Sequence, residues 1–282
     1  MTLLSILAPA LLHTNQYEFI VERFTLGFAD ASFFDTVLYS AYLFAGIILA
    51  LFSNKIGRRK IFILIGSAGA STFYVLMTMT LNFPLLLLFR FLQGCFTVLC
   101  WQTLMTLVLD QSTELNRGKN MGIFGVFLAS AMELGPILGG VLAGFGVLIP
   151  YYSASILSMI VFISAIILLN EPQSLSSKPL LKDNLSVVVR KPRLLIPGIF
   201  NFVDRLHIGF ILFVLPLLLQ TELGVRPELR GMVLGLFALP FILLQYPVGK
   251  WSDKLGRFRL LIVGSLLNSI VPATIGFVTP FG

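Results

Sequence analysis

Long apolar runs limit what this chain can fold into. The run 260–278 contains no charged residue, 36–53, 61–80, 150–169 and 231–248 contain none either, and 85–109 and 121–145 carry one each. About 20 such residues cross a bilayer as a helix. The runs are continuously apolar rather than alternating, which argues against the strands of a membrane barrel. A water-facing surface calls for roughly 25% charged residues. This chain of 282 residues has 12%, against 57% hydrophobic residues and a mean hydropathy of +0.93. It reads as an all-α polytopic membrane protein.

The net charge of +7 does not point to nucleic acid, because the basic residues form short clusters between apolar runs and no continuous basic face. All Lys and Arg except Arg23, Arg90, Arg205, Arg226 and Arg230 fall after even-numbered segments or in the linker. By the positive-inside rule those loops face the cytoplasm of a multi-pass inner-membrane protein. Cys95 and Cys100 share one apolar segment and read as embedded thiols, not a disulfide or metal pair.

Taken in order, residues 1–12 form an apolar stretch too short to span, and 13–35 read as a polar outer loop holding Glu18, Glu22, Asp30 and Asp35 against Arg23. Segments 2 to 6 follow at 36–53, 61–80, 85–109, 121–145 and 150–169, so 1–170 is a first helix bundle. The polar, basic stretch 171–194 is a cytoplasmic linker. Segments 7 to 9, at 195–219, 231–248 and 260–278, open a second bundle over 195–282. Ala8-Pro9-Ala10-Leu11-Leu12 lines up with Leu215-Pro216-Leu217-Leu218-Leu219. That alignment sets Met1 in the middle of segment 1.

Between segments 8 and 9 lies Gly249-Lys250-Trp251-Ser252-Asp253-Lys254-Leu255-Gly256-Arg257. A worn copy, Ala50-Leu51-Phe52-Ser53-Asn54-Lys55-Ile56-Gly57-Arg58-Arg59-Lys60, follows segment 2. Gly-x-x-x-Asp-(Arg/Lys)-x-Gly-Arg between transmembrane helices resembles the signature of the major facilitator superfamily of secondary transporters. Two copies about 200 residues apart are what two parallel six-helix repeats produce. The resemblance implies a gate that latches and releases during alternating access, formed by Asn54, Gly57, Arg58, Arg59, Asp110, Gly249, Asp253, Gly256 and Arg257. Asn54 stands where the pattern has a carboxylate, and an amide forms no ion pair. A topogenic basic loop is the plainer reading.

Arg90-Phe91-Leu92-Gln93-Gly94 resembles the family's Arg-x-x-Gln-Gly motif. An arginine at bilayer depth costs at least ~2.5 kcal/mol on insertion scales and is a functional candidate by default; snorkelling to the headgroups is the alternative. In the family this arginine is assigned to proton coupling. Gly122, then Gly135-Pro136-Ile137-Leu138-Gly139-Gly140, resembles the Gly-Pro-x-x-Gly-Gly motif of drug/proton antiporters, with Ala131 where another glycine is common. Its proline bends the helix and its glycines admit close neighbours. Beside it, Glu133 lies near the middle of segment 5, where a carboxylate must be protonated, paired or facing a polar cavity. Glu133 is therefore the main protonatable candidate, with Arg90 as its counter-charge. Asp110 is expected to pair with Arg58 or Arg59. Gln93, Gln102, Asp204 and Arg205 are cavity candidates, with local helix-end pairing as the alternative for the last two.

The fold implied by the resemblance is the major facilitator fold, with about nine transmembrane segments of an expected twelve. Nine segments fit a partial sequence better than a working nine-helix protein. The implied function is proton-coupled efflux of small molecules, exchanged at a midplane site. Metabolite uptake by a relative of the same superfamily, and a non-transporting membrane protein, are the alternatives. The chain shows no Gly-x-x-x-x-Gly-Lys-(Ser/Thr) pattern, and no metal cluster or nucleophile–base arrangement stands out. The expected partners are substrate, protons and lipid, with the proton gradient as energy source, no cofactor and no catalysis.

Overall fold

A computed structural model describes residues 1–56, 59–113 and 117–170 continuously, and beyond them scattered positions and the run 259–266. Its helices are α1 (Thr2–Ala10), α2 (Gln16–Phe24), α3 (Phe28–Ile56), α4 (Arg59–Met79), α5 (Phe83–Asp110), α6 (Arg117–Ala143) and α7 (Ile149–Leu168). No strand occurs among the described residues. Five stretches are long and apolar enough to cross a membrane: Ala29–Leu49, Arg59–Met79, Phe83–Asp110, Arg117–Ala143 and Ile149–Leu168. The protein is a multi-pass membrane protein. The linker 171–194 and most of segments 7 to 9 lie outside the described residues.

The polar stretch 13–35 is not a loop. It holds α2 and the first two turns of α3, and it packs inward: Thr14, Asn15, Gln16, Phe19, Ile20, Phe34 and Asp35 are all buried. The second long helix begins at Phe28, not at residue 36. The polar groups that suggested water-facing chain are satisfied inside the bundle. Thr14 Oγ1 donates to the Pro136 carbonyl at 2.9 Å, and Asn15 Nδ2 donates to the Val147 carbonyl at 2.9 Å. Arg23, in the last turn of α2, donates to the Thr78 and Thr80 carbonyls at 2.5 and 3.3 Å. It thereby occupies carbonyls that the end of α4 leaves without helical donors.

Between α1 and α2 the chain tightens into i→i−3 turns, with Leu12 N, His13 N and Asn15 N bonded to the Pro9, Ala10 and Leu12 carbonyls. His, Thr and Asn side chains compete with the helical ladder by making other hydrogen bonds, which suits a break here. A left-handed Thr25 (φ 53°) ends α2, and Asp30 accepts from Gly27 N to start α3.

Small residues set the helix crossings, as expected where lipid removes the hydrophobic drive between helices. A Cβ on Gly66 of α4 would stand 2.7 Å from both Cys100 N and the Phe96 carbonyl oxygen of α5. Where α4 crosses α7, the Ser71 and Ser155 hydroxyls lie 2.9 Å apart and each donates to the other residue's carbonyl at 3.0 Å. α5 packs between α3 and α4, while α1 sits against α6 and α7 and reaches α5.

Two core layers result. One, toward the α4–α5 turn, gathers Leu11, Phe19, Phe34, Tyr74, Leu86 and Tyr151. The other, toward Asp110, gathers Ile63, Cys100, Leu104, Phe124 and Val161. Large apolar side chains such as Leu43, Ile47, Phe127, Leu138, Ile156 and Ile167 point outward, as a lipid-facing surface requires.

Candidate functional site

The first core layer encloses a buried charge cluster. Arg90, about 10 Å into α5 at 1.5 Å per residue, is 0% exposed and does not snorkel. Its Nη2 lies 3.6 Å from Asp35 Oδ1 of α3. Its Nη1 donates to Gln93 Oε1 at 3.1 Å, and its guanidinium stacks 4.5 Å above the Phe34 ring. Gln93 Nε2 donates onward to Tyr74 Oη at 2.9 Å and Thr97 Oγ1 at 2.7 Å. Gln16 Nε2, in the first turn of α2, donates to Asp35 Oδ2 at 3.1 Å. The cluster joins α2, α3, α4 and α5 through side chains alone.

Several polar atoms around it make no hydrogen bond: His13 Nδ1, Asn15 Oδ1, Gln16 Oε1, Asp35 Oδ1, and Arg90 Nε and Nη2. Buried polar groups are nearly always bonded. Such a concentration on both sides of the α1–α2 break therefore marks a polar pocket rather than packed core.

This geometry corrects two expectations. The buried partner of Arg90 is Asp35, which the sequence placed in an outer loop, and not Glu133. Glu133 is half-buried on α6 and makes no ion pair among the described residues. It stands well around the helix from the α6 face that meets α1. Gln93 does not line a cavity; it is 0% exposed and its amide is used within the bundle. Gln102 is half-buried and faces α3, its Oε1 3.4 Å from where a Cβ on Gly46 would lie.

At the opposite end of the bundle Arg59 Nε pairs with Asp110 Oδ2 at 3.1 Å, with side chains 2% and 4% exposed. The pair closes the start of α4 onto the end of α5. Beside it Lys60 Nζ donates to the Ile166 and Leu169 carbonyls at the end of α7. Asn54 lies in α3. Gly57, Arg58, Asp204, Arg205, Gly249, Asp253, Gly256 and Arg257 lie outside the described residues.

The glycines of α6 divide into two kinds. A Cβ on Gly135 would overlap Ala10, and one on Gly139 would overlap the Leu11 carbonyl oxygen, so both meet the end of α1 directly. Gly140 is buried too, whereas a Cβ on Gly122 would meet nothing within 4 Å. Pro136 lies inside a continuous α6, and its carbonyl accepts from Thr14.

The sequence pattern of the Major Facilitator Superfamily matches residues 1–281. The chain belongs to this superfamily. Within it, the chain is similar to multidrug resistance protein 2 of Bacillus subtilis, at 24% identity over 268 residues, 90% of this chain and 66% of that protein. It is also similar to the quinolone resistance protein NorA of Staphylococcus aureus, at 28% identity over 141 residues, 49% of this chain and 36% of NorA. The chain spans about two thirds of the length of the first relative. As a major facilitator it is a membrane transporter, and the two buried arginine–carboxylate pairs are the charged features of its described part.

The sequence reading missed Asp35, Gln16 and the polar turn before it. One signal was present: residues 28–56 make a single apolar helix with Asp30 in its first turn, which carries Asp35 two turns inside.

Proposed function

We propose that this transporter exports small molecules in exchange for protons. The observation that carries the reading is Arg90, permanently charged and fully buried, facing a single carboxylate inside a polar pocket. A buried charge is expensive to keep and is normally retained for function. Similarity to proteins named for multidrug and quinolone resistance supports small drug-like molecules as substrates.

The described residues supply parts for alternating access. The α1–α6 seam at Gly135 and Gly139 brings a broken helix and a proline-bearing helix together, and discontinuous helices commonly frame binding sites in secondary transporters. Arg59 and Asp110 latch the α4 and α5 ends on the side we assign to the cytoplasm of an inner membrane. Lys60, Arg117 and Lys119 share that side, in keeping with the positive-inside rule. Glu133 is the proton-binding candidate on α6.

The test uses everted vesicles carrying the full chain and ethidium as a cationic probe. An imposed proton gradient should drive ethidium accumulation, and a protonophore should collapse it. Glu133→Gln should cut gradient-driven accumulation at least tenfold. Accumulation indifferent to the gradient would reject proton coupling, and full coupling in Glu133→Gln would remove that residue from the mechanism.

A further inference from the structure

We propose that Asp35 is a second proton-binding carboxylate, separate from Glu133, with Arg90 and Gln16 sensing its charge. This rests on the reading of the chain as a proton-driven exporter.

The two buried arginine pairs are built differently. Arg59 hydrogen-bonds its carboxylate at 3.1 Å, a structural clamp. Arg90 and Asp35 stand 3.6 Å apart, beyond hydrogen-bonding distance, and neither Asp35 Oδ1 nor Arg90 Nη2 has another partner. Arg90 is held instead by Gln93 and the Phe34 face. Neither hold depends on the charge of Asp35. A proton can therefore join Oδ1 without dismantling the seat of the arginine. Oδ2 keeps its bond from Gln16 in either state.

The electrostatic surroundings of Asp35 are compact. Arg90 faces it from α5, His13 from the turn between α1 and α2, Tyr42 from α3 and Tyr151 from α7, while Tyr74 of α4 reaches Arg90 through Gln93. Arg90 is the one permanently charged group among them. The proton enters as H⁺ on Oδ1 and leaves from the same atom; no other bond changes. With the proton on, the attraction between α3 and α5 is lost, and Gln16 is bonded to a neutral acid instead of a carboxylate. The change is thus felt at the start of α2, beside the helix break.

The experiment reads proton binding directly. Infrared difference spectra of the full chain in liposomes, recorded across a pH titration, should show a carboxylic C=O band that Asp35→Asn removes and Glu133→Gln leaves in place. Gln16→Leu should displace that band, because the bond to Oδ2 is gone. Asp35→Glu should restore a titrating band at a different frequency, which also covers an Asn variant that fails to insert. A band unchanged by Gln16→Leu and Asp35→Glu, or persisting in Asp35→Asn, overturns the proposal. The exporter reading fails separately, if the unmodified chain shows no gradient-driven ethidium accumulation.

Discussion

Arg59 and Arg90 are the bulkiest fully buried side chains among the described residues. Each faces one carboxylate, yet the consequences of substitution should differ. Removing one partner of a tightly bonded buried pair costs about 3–5 kcal/mol, because the remaining charge stays out of water. Arg59→Ala should therefore lower the unfolding midpoint in detergent strongly. Asp110→Asn keeps an acceptor for Arg59 and should lower it less. Equal midpoints in the two variants and the parent chain would show that the pair adds nothing to stability. Arg90→Ala is a different case, since it empties a site whose loose pairing we read as functional.

Elements of this chain depend on contacts from distant segments. α2 has nine residues, too few to persist alone. Phe19 and Ile20 in the core and Arg23 on the end of α4 hold it in place. α6 is straightforward as an apolar run, but its register against α1 is set at Gly139, where only a hydrogen leaves room for Leu11. Gly139→Leu should force α1 away and cost about 1–3 kcal/mol or more by overpacking, with impaired transport. Gly122→Ala, on a surface with nothing within 4 Å, should leave thermal stability within error. Matching losses in both variants would mean that the seam is not where α6 is constrained.

For the whole molecule, one described contact links the first bundle to the later part of the chain. Arg230 is buried, and its guanidinium pairs with Glu18 of α2, 212 residues away. α2 also abuts the Asp35–Arg90 cluster, so the same short helix touches the proposed proton site and the far part of the chain. Cysteines at positions 18 and 230 should form a disulfide under mild oxidation, identified by peptide mass spectrometry in the full chain. Absence of the cross-linked peptide under strong oxidation would argue that the two segments do not meet in the membrane.

Membrane character, the order of the spanning helices and superfamily membership were legible in the sequence. Each follows from what residues are, one after another: apolar transfer energy accrues along a run, and the Arg90–Gly94 and Gly135–Gly140 motifs are contiguous. The Arg59–Asp110 pair was half legible, because both ends sit beside spans that must return to one side of the bilayer. The identity of Arg90's partner was not. Residues 13–35 have the composition of a water-exposed loop, and nothing local says that Gln16 bonds Asp35, Thr14 bonds Pro136 and Arg23 bonds Thr78. Polar groups cost the same in water whether a loop or a bundle surrounds them; only the packing of α1, α2 and α3 against α5, α6 and α7 supplies partners that make burial tolerable. Apolar pattern alone therefore determined where the chain crosses the membrane, and the tertiary structure decided which charges meet inside it.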